Sequence, residues 1–380
     1  MKKVCVISTL NHNVGDDFVR AGILSLLSEA LGDLDVRIVH KHFPATVRSA
    51  AWRRFDDGTR WIPDRLSWRT RLSRLAEALP PDPRADLVLS SDILVQSGAP
   101  VYWKNQHSKC SQAEWFTPLI EKRWQTIREH VPLLNLAAGS CQALGSDGTE
   151  ISGDAGCRDY IDRFTRWSTL TTVRDTLARN IVLQCGHDVP LLPCPSIFAP
   201  EAVNLPAREP AYVALNYMPH AGHYDLAGEG PQQALRWEVA FTAAARRLAG
   251  RHPCLMICHD RKELAEAARM LPEVPRFFST SWQDYLDAYS RCRFAIVNRV
   301  HGAVVSAAMG KPVLLTGNDT RLLTAAEVPG IRIMPASDAG RDFEGLVEDM
   351  HNLHPVPVPA AFIQKTRENY LNLLRSALSS

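Results

Sequence analysis

Apolar residues along the chain fall into short runs separated by stretches in which they recur at helical spacing. Residues 3–9 form a Val/Ile-rich run, a polar Asn/His/Gly/Asp loop follows, and residues 18–31 carry apolar positions three and four apart, which predicts a strand, a loop and a helix. The unit recurs. Residues 36–40, 85–90, 132–138 and 169–173 read as strands, with helical stretches near 112–129 and 175–184. Strands alternating with helices imply parallel sheets joined by crossover helices.

The passage from 191 to 212 holds five prolines and breaks both patterns, so it reads as an interdomain linker. A second alternating series follows, with strands over 212–216, 254–259, 276–279, 294–298, 312–315 and 331–334. Helices lie near 231–249, 261–270, 282–290, 302–309 and 319–326. The pattern predicts an α/β protein of two doubly wound Rossmann-like domains facing across a cleft: residues 1–200, then 211–358. A terminal helix within 359–380 has the spacing to pack back on the N-terminal domain. Ligands in such sheets bind beyond the carboxyl ends of the strands.

At 380 residues the chain exceeds what one core usually organises, which agrees with two domains. With 46% hydrophobic and 22% charged residues and no long apolar run, no membrane span is expected. The opening MKKVCVIST is too short for a secretory core and reads as the first strand, so the cytoplasm is the expected location. Nine scattered cysteines without a repeating spacing suggest reduced thiols. A net charge of +2 gives no electrostatic case for nucleic acid. Arginines 53, 54 and 60, and 69, 71 and 74, alternate with tryptophans, and a solvated, variable surface explains them better than a base-stacking site.

Chemistry concentrates at strand ends. Asn298-Arg299-Val300-His301-Gly302 follows the strand 294–298. Arginine offers a planar fork for phosphate or carboxylate, histidine moves protons near neutral pH, and the small residues after them let a helix bring its N-terminal amides toward an anion. Asn13-Val14-Gly15-Asp16 follows the first strand, Arg174-Asp175 follows the strand 169–173, and His259-Asp260 follows the strand 254–259. Asn216, Tyr217, His220 and His223 follow the first strand of the second series. Cys185, His187 and Cys194, and Cys254, Cys258 and His259, lack the paired spacing of structural zinc sites, so no metal or cofactor is expected.

These elements resemble the polysaccharide pyruvyl transferase family. The resemblance rests on Arg299-x-His301-Gly302 after an apolar strand, then Gly310-Lys311-Pro312 and a further strand. It includes Asn13-x-Gly15-Asp16 and Arg174-Asp175, in the family's order from residue 3 to about 320. The resemblance implies a GT-B-like fold and transfer of the enolpyruvyl skeleton of phosphoenolpyruvate to sugar hydroxyls as a ketal. On that reading Arg299, with Arg174 and Gly302, binds the donor. His301 and His259 are catalytic, while Asn13, Gly15, Asp16 and Asn216 face a carbohydrate acceptor. Ser90-Ser91-Asp92, the segment Gln96 to Trp103 and Cys194-Pro195-Ser196 depart from the family pattern and leave the acceptor open. Two alternatives stay in view: a GT-B glycosyltransferase using a nucleotide sugar, and a non-catalytic sugar- or anion-binding relative.

Overall fold

The computed structural model describes residues 1–10, 13–41, 47–52, 60–61, 83–104, 115–206, 208–222, 231–339, 343–352 and 358–379. The first half runs β1 (Lys2–Ser8), α1 (Val14–Leu31), β2 (Leu34–His40), β3 (Val47–Trp52), β4 (Arg60–Trp61), α2 (Pro83–Leu89), β5 (Ile93–Ser97) and β6 (Pro100–Tyr102). It continues with α3 (Phe116–Leu119), α4 (Trp124–His130), β7 (Leu133–Ser140), α5 (Thr149–Ser152), α6 (Ala155–Trp167), β8 (Leu170–Val173) and α7 (Thr176–Gln184). Its sheet is ordered β4-β3-β2-β1-β5-β7-β6, with β8 also on β7. The strands are parallel except where β3 and β4 add an antiparallel edge. Helices cover both faces, which is why Val4 to Ile7 of β1 are wholly buried.

The second half runs β9 (Tyr212–Leu215), α8 (Pro231–Ala249), β10 (Cys254–Ile257), α9 (Arg261–Met270), β11 (Arg276–Phe277), α10 (Trp282–Ser290), β12 (Cys292–Val297) and α11 (Val300–Ala308). Then come β13 (Val313–Gly317), α12 (Leu322–Ala326), β14 (Ile331–Pro335), α13 (Phe343–Asn352) and α14 (Ala360–Leu378). Its six strands are all parallel, in the order β11-β10-β9-β12-β13-β14. The order reverses between β9 and β12, so the carboxyl ends of those two strands open onto the switch point where ligands sit in such sheets.

Several sequence expectations need correction. The run 85–90 is not a strand but part of α2, and the strand that pairs with β1 is β5 just after it. A short apolar run fits either element, so periodicity alone does not separate them. The stretch near 112–129 is divided into α3 and α4 within its described part. Helix α6 was not anticipated, although Cys157, Tyr160, Ile161 and Phe164 form its buried stripe at helical spacing. Reduced thiols hold for seven described cysteines, all buried, but Cys157 is disulfide-bonded. Arginines 53, 54, 69, 71 and 74 and His223 lie outside the described residues, and so does the side chain of Arg60.

The Pro-rich passage does not swing free. Residues Pro195–Ala202 form a 3-10 turn, largely buried, wedged between α1 and α11. Gly22 of α1 faces the Pro195 carbonyl so closely that any side chain there would collide with it. One apolar core runs through α1, this turn, α11 and α14. Helix α14 crosses back to the first half, where the Tyr370 hydroxyl donates to the Pro193 carbonyl (3.0 Å) and Arg367 pairs with Glu29 (2.9 Å) and Glu201. The two halves are also tied at Thr320, whose N donates to Gln142 O (2.9 Å) while Gln142 N donates to Thr320 Oγ1 (2.8 Å). No described helix is long and apolar enough to cross a membrane.

Candidate active site

Two asparagines build the platform at the β12–α11 junction. Asn216, at the end of β9, accepts from the backbone N–H groups of Asn298 (3.2 Å) and Arg299 (3.0 Å). Asn298 accepts from Met218 N (2.9 Å) and donates to Thr316 at the end of β13. Three strand ends are thus tied to one turn, and α11 starts in a fixed direction. Asn216 is completely buried, also donating to Ile257 O (3.0 Å) and Glu263 (2.9 Å). Its sequence-based place among acceptor-facing residues is therefore corrected: it braces the turn from beneath.

The expectation for Arg299 changes in the same way. Its Nε donates to Glu263 Oε1 (2.5 Å) and its Nη2 to Asp260 Oδ2 (2.6 Å), and the side chain is almost wholly enclosed. A guanidinium held by two carboxylates is not an open clamp for an anion. Asp260 also caps α9, accepting from Lys262 N and Glu263 N. Burial pushes the Glu263 carboxyl up while Arg299 pulls it back down.

His301 instead meets the other half of the molecule. Arg174, at the end of β8, donates from Nη1 to His301 Nε2 (3.2 Å) and to the Gly98 carbonyl (3.3 Å). Arginine can only donate, so Nε2 carries the lone pair and the ring proton sits on Nδ1. That edge of the ring lies on Gly15: a Cβ there would stand 3.1 Å from His301 Cγ and closer than 3.0 Å to Nδ1. The N-terminal turn of α1, the end of β8 and the start of α11 therefore converge on a single imidazole. Asn13 caps α1 by accepting from Gly15 N (3.1 Å), and Asp16 is buried close enough to Arg321 to strengthen its charge. Burial first, then the charges of Arg174, Arg321 and their neighbours, hold the His301 pKa well below 6.5, so the ring is neutral.

Arg174 is wholly buried, makes no ion pair among the described residues, and leaves Nε and Nη2 without partners. It packs on Gly139, where a Cβ would lie 2.6 Å from Nε. Strand β7 reaches this point through a register shift in which Ala137 takes a positive φ of 54°. Neither Asp175 nor Asp162 forms an ion pair with Arg174, although the Arg174 charge acts on the buried Asp175 carboxyl. Asp175 accepts from Ala178 N (2.8 Å) and from Ser140, and Asp162 pairs with His187 and Arg166. His259 lies deeper, bonded through Nε2 to the Tyr289 hydroxyl (2.7 Å), with Gly302 packed against both rings.

A sequence model of the polysaccharide pyruvyl transferase family matches residues 13–320. The chain belongs to that family. It is a transferase, and the three motifs that carry the family pattern are the three that meet at His301. No curated protein matches the sequence. Among solved structures it is similar to the Staphylococcus aureus MnaA–UDP complex, with a TM-score of 0.57 at 13% identity, covering 100% of this chain and 97% of that one. It is also similar to the UDP-GlcNAc 2-epimerase of Methanocaldococcus jannaschii in complex with UDP-GlcNAc and UDP, with a TM-score of 0.52 at 10% identity, covering 98% and 99%. These likenesses establish a GT-B fold for this pyruvyl transferase family member.

Glu263, Tyr289, Asp319 and Arg321 escaped the sequence reading. Asp319 takes Arg321 in a two-pronged pair (2.8 and 2.6 Å) at the interdomain contact. For Glu263 a signal existed, because Asp260-x-x-Glu263 has capping-box spacing. The Glu263 carboxylate accepts not from the cap residue but from His259 N (2.7 Å). Nothing in the sequence marks Tyr289. No group of three or more described His, Cys, Asp or Glu side chains is placed to hold a metal ion.

Proposed function

We propose that the enzyme transfers the enolpyruvyl skeleton of phosphoenolpyruvate to two hydroxyls of a carbohydrate, releasing phosphate and closing a ketal. The observation that carries this reading is the buried Arg174, charged, with no carboxylate paired to it and two nitrogens unused among the described residues, beside a neutral His301. A buried, uncompensated guanidinium is costly unless an anion completes it. Phosphoenolpyruvate brings a phosphate and a carboxylate, and the fork of Arg174 suits either.

The proton balance suits one neutral imidazole. The diol loses two protons: one ends on the methylene carbon, making it a methyl group, and one leaves with phosphate. When the substrate anion draws Arg174 toward itself, the His301 Nε2 lone pair becomes available to take a hydroxyl proton and deliver it to that carbon. As carbon gains the proton, the neighbouring carbon becomes an oxocarbenium-like centre open to the sugar oxygen. Arg174 then lies beside the developing negative charge in a site shielded from water.

The test is phosphate release from phosphoenolpyruvate with a diol-bearing saccharide, and mass analysis for the ketal. Arg174→Ala and His301→Ala should each abolish release. Release that survives either change, or turnover of a nucleotide sugar in place of phosphoenolpyruvate, overturns the proposal.

A further inference from the structure

We propose that Tyr289 fixes His259 as the tautomer protonated on Nδ1, and that His259 serves as a hydrogen-bond donor to an anionic oxygen of the substrate, not as an acid or base. Both rings are enclosed by protein. The Tyr289 hydroxyl and His259 Nε2 are 2.7 Å apart, and His259 Nδ1 has no partner among the described residues. Two proton arrangements fit that distance. If Nε2–H donates to the phenol oxygen, the phenol proton is left without an acceptor and Nδ1 without a donor. If the phenol donates to Nε2, only the Nδ1–H is left over. A buried unpaired polar group costs about 1–3 kcal/mol, so the arrangement with one orphan prevails over the arrangement with two.

The remaining orphan points to a ligand. His259 is pinned by its backbone N–H on Glu263 (2.7 Å) and by the edge-on rings of Tyr285 and Tyr289, with centroids at 5.3 and 5.9 Å. Its Cε1, bonded to Nδ1, lies 3.4 Å from the Cβ position of Gly302 in the first turn of α11. That turn has no side-chain cap. An oxygen anion seated there would accept from Nδ1–H and from the free helix amides together. Burial first, then the nearby charge of Arg299, disfavour a second proton on the ring, which keeps it a neutral donor. The donor function rests on the substrate reading above; the tautomer does not.

The tautomer is read from the full chain labelled with 15N-histidine, using two-bond nitrogen–proton correlations, with the His259 signals identified by their loss in His259→Asn. The expected spectrum shows a protonated Nδ1 and a bare Nε2, and Tyr289→Phe should relax it to a mixture. A protonated Nε2 in the wild type, or no change in Tyr289→Phe, overturns the assignment. For the donor role, calorimetric titrations use inorganic phosphate and pyruvate separately. His259→Gln, whose amide reaches the Nε2 position, should weaken binding of one of them about tenfold or more. His259→Asn, whose amide matches Nδ1, should restore much of it. The probe that weakens identifies whether phosphate or carboxylate is bound, and unchanged affinity for both overturns the donor role. Failure of phosphoenolpyruvate itself to bind, with Nδ1 found protonated, counts against the substrate proposal and supports the tautomer.

Discussion

Gly15→Ala separates the close packing of the two halves from ordinary helix energetics. Gly15 lies in the first turn of α1, where alanine by helix propensity alone would add up to about 1 kcal/mol of stability. The structure predicts the opposite sign. A methyl group there stands 3.1 Å from His301 Cγ and inside 3.0 Å of Nδ1, and the ring cannot simply rotate away because Nε2 is held by Arg174 at 3.2 Å. Overpacking of this kind costs about 1–3 kcal/mol, so the net loss should be about 1–2 kcal/mol, or roughly 2–8 °C in the melting temperature of a domain this size. Moving the imidazole by about 1 Å should lower turnover about a hundredfold. Calorimetry and phosphate release measured together on Gly15→Ala, His301→Ala and the double variant provide the assay. The double variant should melt higher than the sum of the single effects, because without the imidazole the methyl group has room. Gly32→Ala is the control: φ is +81° with ψ −145° and no described atom lies within 4 Å, so it should cost about 1–3 kcal/mol through backbone strain alone, with activity intact. A Gly15→Ala enzyme that is more stable than the wild type and fully active would refute the placement of His301 against α1.

Arg174→Met should raise or preserve the melting temperature while eliminating phosphate release, since it removes a buried charge with two unpaired nitrogens; a clear drop in stability would contradict that account. Glu263→Ala should lower stability by about 3–5 kcal/mol in chemical denaturation, because it leaves Arg299 with only half-exposed Asp260 and also frees His259 N and Asn216, whereas Glu263→Gln should lose less. Stability should fall as pH drops below about 6.5: His259 and His301 are held below that value in the folded state, the unfolded chain takes up their protons first, and each contributes a slope of up to about 1.4 kcal/mol per pH unit. The raised carboxyls of Asp175 and Glu263 act in the opposite sense at more acidic pH, and His259→Asn/His301→Asn should flatten the acid limb of the denaturation profile.

The alternation of strands and helices was legible because both sheets are buried on both faces, and parallel strands then read as short apolar runs between helices. In the second half that reading matched α8, α9 and α10 residue for residue. It failed at residues 85–90, where the run in α2 is too short for period to decide, and at α6, whose buried stripe is only four residues in thirteen. Motifs were legible as types and misassigned as partners. Arg299 and Arg174 look equivalent in sequence, each one residue past an apolar strand. Only the fold shows that carboxylates from α9 reach the first, while the acids nearest the second, Asp175 and Asp162, are turned to Ser140 and Ala178 or to His187 and Arg166.

That asymmetry also explains why a family pattern can keep two arginines that do different work. Arg299 holds Asp260 and Glu263, and through Glu263 the backbone of His259, so its charge is used within its own sheet. Arg174 gives one nitrogen to His301 and to the Gly98 carbonyl and keeps two in reserve, so its charge is available across the interface. Because His301, Gly15 and Arg174 come from different segments, an anion that pulled on Arg174 would also loosen one of the hydrogen bonds between the two halves. On the proposed function, donor binding at Arg174 and the freeing of the His301 Nε2 lone pair are coupled through that one side chain.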